Sequence, residues 1–208
     1  MTVTISRLYD SYDSAAQAVR NLEAAGVPPD DISMIANNTE GWYDDRVPPA
    51  RHDADRDGVD DRAEGAATGA GVGAALGGAA GLLAGLGMLA IPGLGPVVAA
   101  GWLAATAAGA VAGGAAGGAI GALTQAGVSE EDAHFYAEGV RRGGTLVTAR
   151  VPDADQARIG AIMDSASVDL GSRRSAYHET GWDRFDPAAR PYSAEEIRRE
   201  REAYRDRR

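Results

Sequence analysis

The sequence has no cysteine, no lysine and no charged residue between Glu64 and Glu130. Without cysteine it has no disulfide, no thiol nucleophile and no cysteine-ligated metal, and the cytoplasm is the expected compartment. Residues 1–7 lack a basic region followed by an apolar core, so no signal peptide is predicted. The net charge of −10 argues against nucleic acid as a partner, because the phosphate backbone attracts basic surfaces.

The uncharged stretch, residues 66–126, repeats small residues every fourth position on both sides of a Pro-Gly break at 91–96. The first arm carries Gly69, Gly73, Gly77, Gly81 and Gly85, and the second carries Gly101, Ala105, Gly109, Gly113, Gly117 and Gly121. On a helix, residues four apart share one face, and a strip of small residues lets two backbones approach closely. The period therefore predicts a glycine-zipper helical hairpin over residues 65–127.

The surroundings of this hairpin are open to two interpretations. Each arm is long enough to cross a bilayer core of about 30 Å at about 1.5 Å per residue. However, the flanking residues Asp61, Glu64 and Glu130 are acidic, whereas cytoplasmic flanks of membrane spans are usually basic. The sequence favours membrane association with self-association through the zipper, and burial inside a soluble homo-oligomer is the alternative. A flexible linker would not keep a four-residue period.

The parts of the chain on either side of the stretch predict a β-α-β unit each. In residues 1–36, Val3 and Ile5 alternate with polar residues as in a half-buried strand, and a helix and a second strand follow. In residues 128–171, a helix leads to a strand at 145–151, then to a second helix and a short strand at 168–170. Two such units predict an α+β, ferredoxin-like fold, interrupted between its halves by the hairpin.

Two further segments are polar. Residues 37–64 form an acidic linker, and residues 172–208 form a charged tail that ends in a helix. Because Ile197 and Tyr204 are the only large apolar residues of the terminal helix, we expect a solvated tail or one that binds an unknown partner.

These features resemble a known family. Residues 22–27 and 31–33 are similar to the start of general stress protein 17M-like (YflT-type) domains. The glycine zipper, the helix entry at 127–133 and residues 136–151 resemble bacterial members that carry such an insertion. The resemblance covers most of residues 1–171 and implies a stress-responsive protein, with no catalytic residues to carry over.

The acidic linker contains one candidate metal site, which the resemblance does not imply. Residues 53–64 match the D-x-D-x-D-G-x5-E pattern of an EF-hand calcium loop. The oxygen ligands would come from Asp53, Asp55, Asp57, Val59 (backbone carbonyl), Asp61 and Glu64. Asp60 stands where such loops carry an apolar residue, and Pro48-Pro49 disfavour an entering helix. An acidic, solvated spacer is the alternative.

No arrangement typical of catalysis is visible in the sequence. The glycines fit neither a P-loop nor a dinucleotide-binding fingerprint, and Ser129 is best explained as a helix cap. We therefore expect a non-enzymatic stress-response protein whose hairpin self-associates at a membrane, on its cytoplasmic side. The rival hypotheses are a calcium-binding module and a soluble homo-oligomer.

Overall fold

The computed structural model describes residues 1–41, 87–91, 93–104, 106 and 118–205, and within these the fold is α+β. The strands are β1 (Thr2–Tyr9), β2 (Ile32–Asn37), β3 (Gly87–Ile91), β4 (Gly95–Ala100) and β5 (Thr145–Pro152). The helices are α1 (Tyr12–Ala24), α2 (Gly118–Gln125), α3 (Glu130–Arg141), α4 (Gln156–Asp164), α5 (Leu170–Glu179) and α6 (Ala194–Arg205).

All five strands form one antiparallel sheet in the order β1-β5-β2-β4-β3. The strand with the strongest alternation in the sequence, β5, lies between β1 and β2. One face of the sheet packs against α1 and α4, where Val147 is fully buried. The other face packs against α2 and α3, where Leu146 contributes to the core. The predicted strands at 3–5, 32–35 and 145–151 are confirmed.

The helix boundaries follow local capping chemistry. The hydroxyl of Ser11 accepts a hydrogen bond from the backbone N–H of Ser14 at 3.2 Å and starts α1. Ser129 caps α3 in the same way, through the N–H of Asp132 at 3.1 Å. A capping side chain satisfies a backbone donor that has no partner within the helix. Ser129 therefore serves as the predicted cap.

The helical hairpin predicted over residues 65–127 is wrong for residues 87–100, which form the β3–β4 hairpin. The turn lies at the expected break, but it joins two strands. Val97 belongs to the core on one face of the sheet and Val98 to the core on the other, so β4 is buried on both sides. A short apolar run of this kind does not distinguish strand from helix by its periodicity.

The two described glycines of the predicted zipper do not form a helix-packing strip. Gly101 follows β4 with a φ of +85°, and a Cβ built there would lie 2.2 Å from the carbonyl oxygen of Ile32. It is a close approach between strand backbones, not a position on a helix. Gly121 does lie in α2, but a Cβ there would have no neighbour within 4 Å. The remaining zipper positions lie outside the described residues.

The short strand predicted at residues 168–170 is also wrong. The N–H of Val168 donates to the carbonyl of Leu8 at 2.8 Å, but α5 begins at Leu170. The side chain of Asp169 accepts the backbone N–H of Ser172 at 2.8 Å, and this bond lowers the pKa of Asp169. The strong N-cap starts the helix before a strand can pair with β1.

The charged tail is packed on the domain, in contrast to the expected solvated segment. The terminal helix is present as α6, and its residue Ile197 is fully buried, as is Phe185 before it. Arg201 of α6 forms an ion pair with the buried Glu40 and donates to the carbonyl of Gly143 at 2.9 Å. The tail thus packs on the domain through its few apolar residues and through ion pairs.

Gly101→Ala should be far more destabilising than Gly127→Ala. Both glycines have φ near +90°, which costs an L-residue about 1–2 kcal/mol. At Gly101 the added methyl would also push β4 from β2, for a further cost of about 1–3 kcal/mol. At Gly127 it meets nothing within 4 Å. Urea denaturation of the two variants measures the difference, and equal losses would contradict the close approach.

Candidate functional site

A groove of about 770 Å³ runs along the outer edge of β1. Its floor is residues 4–7 of that strand. One wall is α4 with the short turn Asp153–Asp155 before it, and the other is the segment 127–129 with the first turns of α3. The groove therefore lies beside β1, in the position that the predicted strand at 168–170 would have taken in the sheet.

The backbone of β1 offers hydrogen-bonding groups to this groove. In an antiparallel pair, the N–H and C=O groups of successive residues point alternately toward and away from the neighbouring strand. The carbonyls of Ser6 and Leu8 accept from the Tyr136 hydroxyl and the Val168 N–H, at 2.7 and 2.8 Å. The even-numbered residues therefore face away from β5, and Thr4 directs its N–H and C=O into the groove.

Small residues make room along the walls. Ala157, Gly160 and Ala161 of α4 line the groove at helical spacing, opposite Gly127. A Cβ built on Gly160 or on Gly127 would have no neighbour within 4 Å. The space beside β1 is therefore wide enough for additional chain.

The charged groups at the groove are mostly acidic. The lining includes Asp132, Asp153 and Asp164 against one cation, Arg7. Arg7 donates to Asp164 at 2.5 Å and to the carbonyl of Ser6 at 2.9 Å. Burial alone would lower the pKa of Arg7, but the hydrogen bond to Asp164 and the negative charge of that carboxylate together raise it above its ordinary value. Arg7 therefore stays protonated and neutralises Asp164.

Tyr136 closes one end of the open strand edge. Its ring is buried, and its hydroxyl donates to the backbone carbonyl of Ser6. Burial raises the pKa of Tyr136 to about 12, because the phenolate would lose its hydration. The hydroxyl is thus a neutral hydrogen-bond donor at physiological pH.

A second polar cluster lies away from the groove, where α3 meets α5 and α6. The fully buried side chain of Glu138 accepts from Arg141 at 2.9 and 3.0 Å and from Arg142 at 2.6 Å. Arg142 also pairs with Glu200 of α6 at 3.2 Å, and its guanidinium lies 4.2 Å from the ring centre of Tyr177. These contacts join α3, α5 and α6, so the role of this cluster is structural.

The structure does not describe the predicted metal ligands. Asp53, Asp55, Asp57, Val59, Asp61 and Glu64 all lie outside the described residues, and so does the acidic linker from residue 42 onward. Among the residues that are described, no group of three or more His, Asp or Glu side chains is placed to hold a metal ion. None of the helices in the same ranges is long and apolar enough to cross a membrane.

Sequence reasoning missed the groove residues Arg7, Tyr136 and Asp164. The alternation of Val3 and Ile5 identifies β1 as a strand but not as an edge strand, because edge position depends on the order of strands in the sheet. Asp169, a residue type favoured at helix N-caps, was a usable signal that a helix would begin there in place of the last strand.

Glu138→Gln should destabilise the fold by about 3–5 kcal/mol, because it removes the buried carboxylate that Arg141 and Arg142 share and leaves only Glu200 to pair with Arg142. Glu131→Gln is the matched control: Glu131 lies on the same helix and pairs with Arg174, but it is exposed. An exposed pair contributes about 0–1 kcal/mol. Urea denaturation followed by circular dichroism measures both. Similar losses for the two variants would show that the buried cluster does not hold α3 to α5 and α6.

Comparisons with known proteins do not assign the chain to a family. No family model matches the sequence, and neither the search of curated proteins nor that of solved structures finds a match.

Proposed function

We propose that this chain is a non-enzymatic stress-response protein in which the α+β domain carries a glycine-rich segment that self-associates at a membrane. The function class rests on the resemblance to general stress protein 17M-like domains. The self-association rests on the four-residue glycine period. A soluble homo-oligomer that buries the same segment is the alternative.

The observation that carries the proposal is how the domain uses the uncharged stretch. The domain takes large apolar residues from it for its own core, and these are Ile91, Leu94, Val97, Val98, Leu103 and Leu123. The pieces outside the described ranges, 65–86 and 107–117, keep most of the periodic glycines. Glycine costs a helix about 1 kcal/mol relative to alanine. Close packing against another backbone is what would offset that cost.

The described residues argue against a hairpin with two helical membrane crossings. Residues 102–104 and 106 are helical directly after β4, and α2 packs Ala122 and Leu123 into the core. Residues 107–117 between them are fewer than the roughly 20 that a helical crossing needs. The first piece, 65–86, reaches that length. We therefore propose that association occurs through the first piece, residues 65–86.

A ferredoxin-like scaffold is the finer form of the fold that we propose. The neighbouring strands β1, β5 and β2, with α1 and α4 on one face, support it. In that arrangement a fourth strand would flank β1, where this chain has the groove. The β3–β4 hairpin extends the opposite edge.

Gly77→Leu should reduce self-association and retention on membranes, because a leucine on the glycine strip separates the packed backbones. Gly78→Leu is the matched control, since it adds the same side chain next to the strip and off the four-residue period. Analytical ultracentrifugation measures self-association, and carbonate washing of membranes measures retention. Loss of association without any retention in the parent protein would favour the soluble homo-oligomer. Identical behaviour of both variants and the parent would reject the zipper.

Calcium binding is a second candidate function, favoured by the complete loop pattern at residues 53–64. Calorimetric titration should show one saturable site with a dissociation constant on the order of 10⁻⁴ to 10⁻³ M, as for isolated weak loops. Asp53→Ala with Glu64→Ala should abolish it, because Glu64 would supply two oxygens. Asp44→Ala with Asp45→Ala removes two charges upstream of the loop and is the control. No heat in millimolar calcium would leave the segment as an acidic spacer.

A further inference from the structure

We propose that the groove beside β1 binds an extended, basic segment of a partner protein, which adds as a strand to the sheet. This binding function is independent of self-association through the glycine-rich segment. It rests on the open backbone edge of β1, on the room beside it and on the charge of its walls.

The backbone edge supplies the first part of the recognition. Thr4 directs an N–H and a C=O into the groove, and these are the two groups that a new antiparallel strand pairs with. Sheets with an unpaired edge bind extended peptides in this way, and main-chain hydrogen bonds provide the affinity. The Ser6 carbonyl already accepts from Tyr136 and Arg7, so the added strand would pair mainly around Thr4.

The depth of the groove selects a single extended segment over a second copy of the domain. The groove has α4 on one side of the strand and the segment 127–129 on the other. In a second copy, β1 would be recessed between the same two walls, so the two strands could not reach pairing distance. A separate peptide has no such walls. The small residues at 157, 160 and 161 leave space for its side chains.

This chain does not fill the groove with its own last strand. Val168 makes one hydrogen bond to the Leu8 end of β1, and the chain then turns into α5 under the Asp169 cap. Within the described part of the chain, the edge around Thr4 is therefore left for another segment.

The charge of the walls defines the chemistry of the partner. Three carboxylates face one guanidinium, and Arg7 is committed to Asp164 while Asp132 pairs with Arg174 at 2.6 Å. Asp153 is exposed at the rim. A lysine or arginine side chain on the incoming strand would be held by Asp153, whereas an acidic side chain would be repelled. Hydrogen bonds between a guanidinium and a carboxylate are among the strongest that proteins form.

The test uses a fluorescently labelled heptapeptide of alternating threonine and arginine, acetylated and amidated at its ends, and the full-length protein. Fluorescence anisotropy should show saturable binding. Replacing the arginines of the peptide by glutamate should weaken binding at least tenfold. A version methylated at every backbone amide keeps the charge but cannot donate to the sheet edge, and it should also lose at least tenfold.

Three variants of the protein locate the binding site. Gly160→Leu places a larger side chain in the groove at a position where an added Cβ has no neighbour within 4 Å, and it should abolish binding with an unchanged melting temperature. Ala188→Leu places the same side chain on an exposed surface elsewhere and should bind as the parent does. Asp153→Asn should weaken binding of the arginine peptide several-fold and leave binding of the glutamate peptide unchanged or improved.

Three results would overturn the proposal. Equal binding of the methylated peptide would mean that charge alone attracts it to an acidic protein. Unchanged binding to the Gly160→Leu variant would place the peptide outside the groove. Self-association of the parent that Gly160→Leu abolishes would identify a second copy as the occupant. Since Gly77→Leu changes none of the described residues that line the groove, peptide binding by that variant separates this proposal from the proposed function.

Discussion

The fold depends on one strand, β5, which pairs with β1 on one side and with β2 on the other. Its residues come from position 145 onward, whereas both partners come from the first 37 residues. The pairing therefore closes a long loop and fixes the two halves in one sheet. Leu146, Val147 and Ala149 alternate between the two faces and are all buried. Neither half could cover both faces of β5 alone, so the cores on the two sides form together.

Once β5 has set the sheet, buried charges determine how the helices on one face are arranged. Glu138 and Arg142 are both withdrawn from water, which is costly unless every polar group finds a partner. The partners come from α3, α5 and α6, so the cluster is satisfied only when all three helices are docked. Glu40 and Arg201 act in the same way at the next residue of α6. The charged tail thus stays docked because undocking would leave these charged groups unpaired. Ile197 supplies the apolar contact.

The difference between local sequence patterns and contacts distant in sequence explains how much of the structure could be predicted from the sequence. β1, β5 and the start of α3 follow from local patterns, namely two-residue alternation and a capping serine. The β3–β4 hairpin was missed because glycine and alanine every fourth residue resemble a helix face, and because Val97 and Val98 are buried on opposite faces. The docking of α6 was missed because it depends on Glu40 and Glu138, which no local pattern connects with residues 194–205. The groove depends on strand order, which local signals do not contain.

The two edges of the sheet are covered in different ways, and this difference connects the uncharged stretch of the sequence to the candidate site. An unpaired edge is a liability, because its free N–H and C=O groups can pair with other chains. Beyond β2 the uncharged stretch supplies β4 and β3, so the sheet is extended by residues that a ferredoxin-like domain would not need. Beyond β1 the capped start of α5 removes the strand that would have covered the edge. That edge is protected instead by its position in the groove between α4 and the segment 127–129. Tyr136 and Arg7 also donate hydrogen bonds to the Ser6 carbonyl there. Protection of this kind excludes whole domains but admits a single extended chain, and Asp153 at the rim then selects its charge.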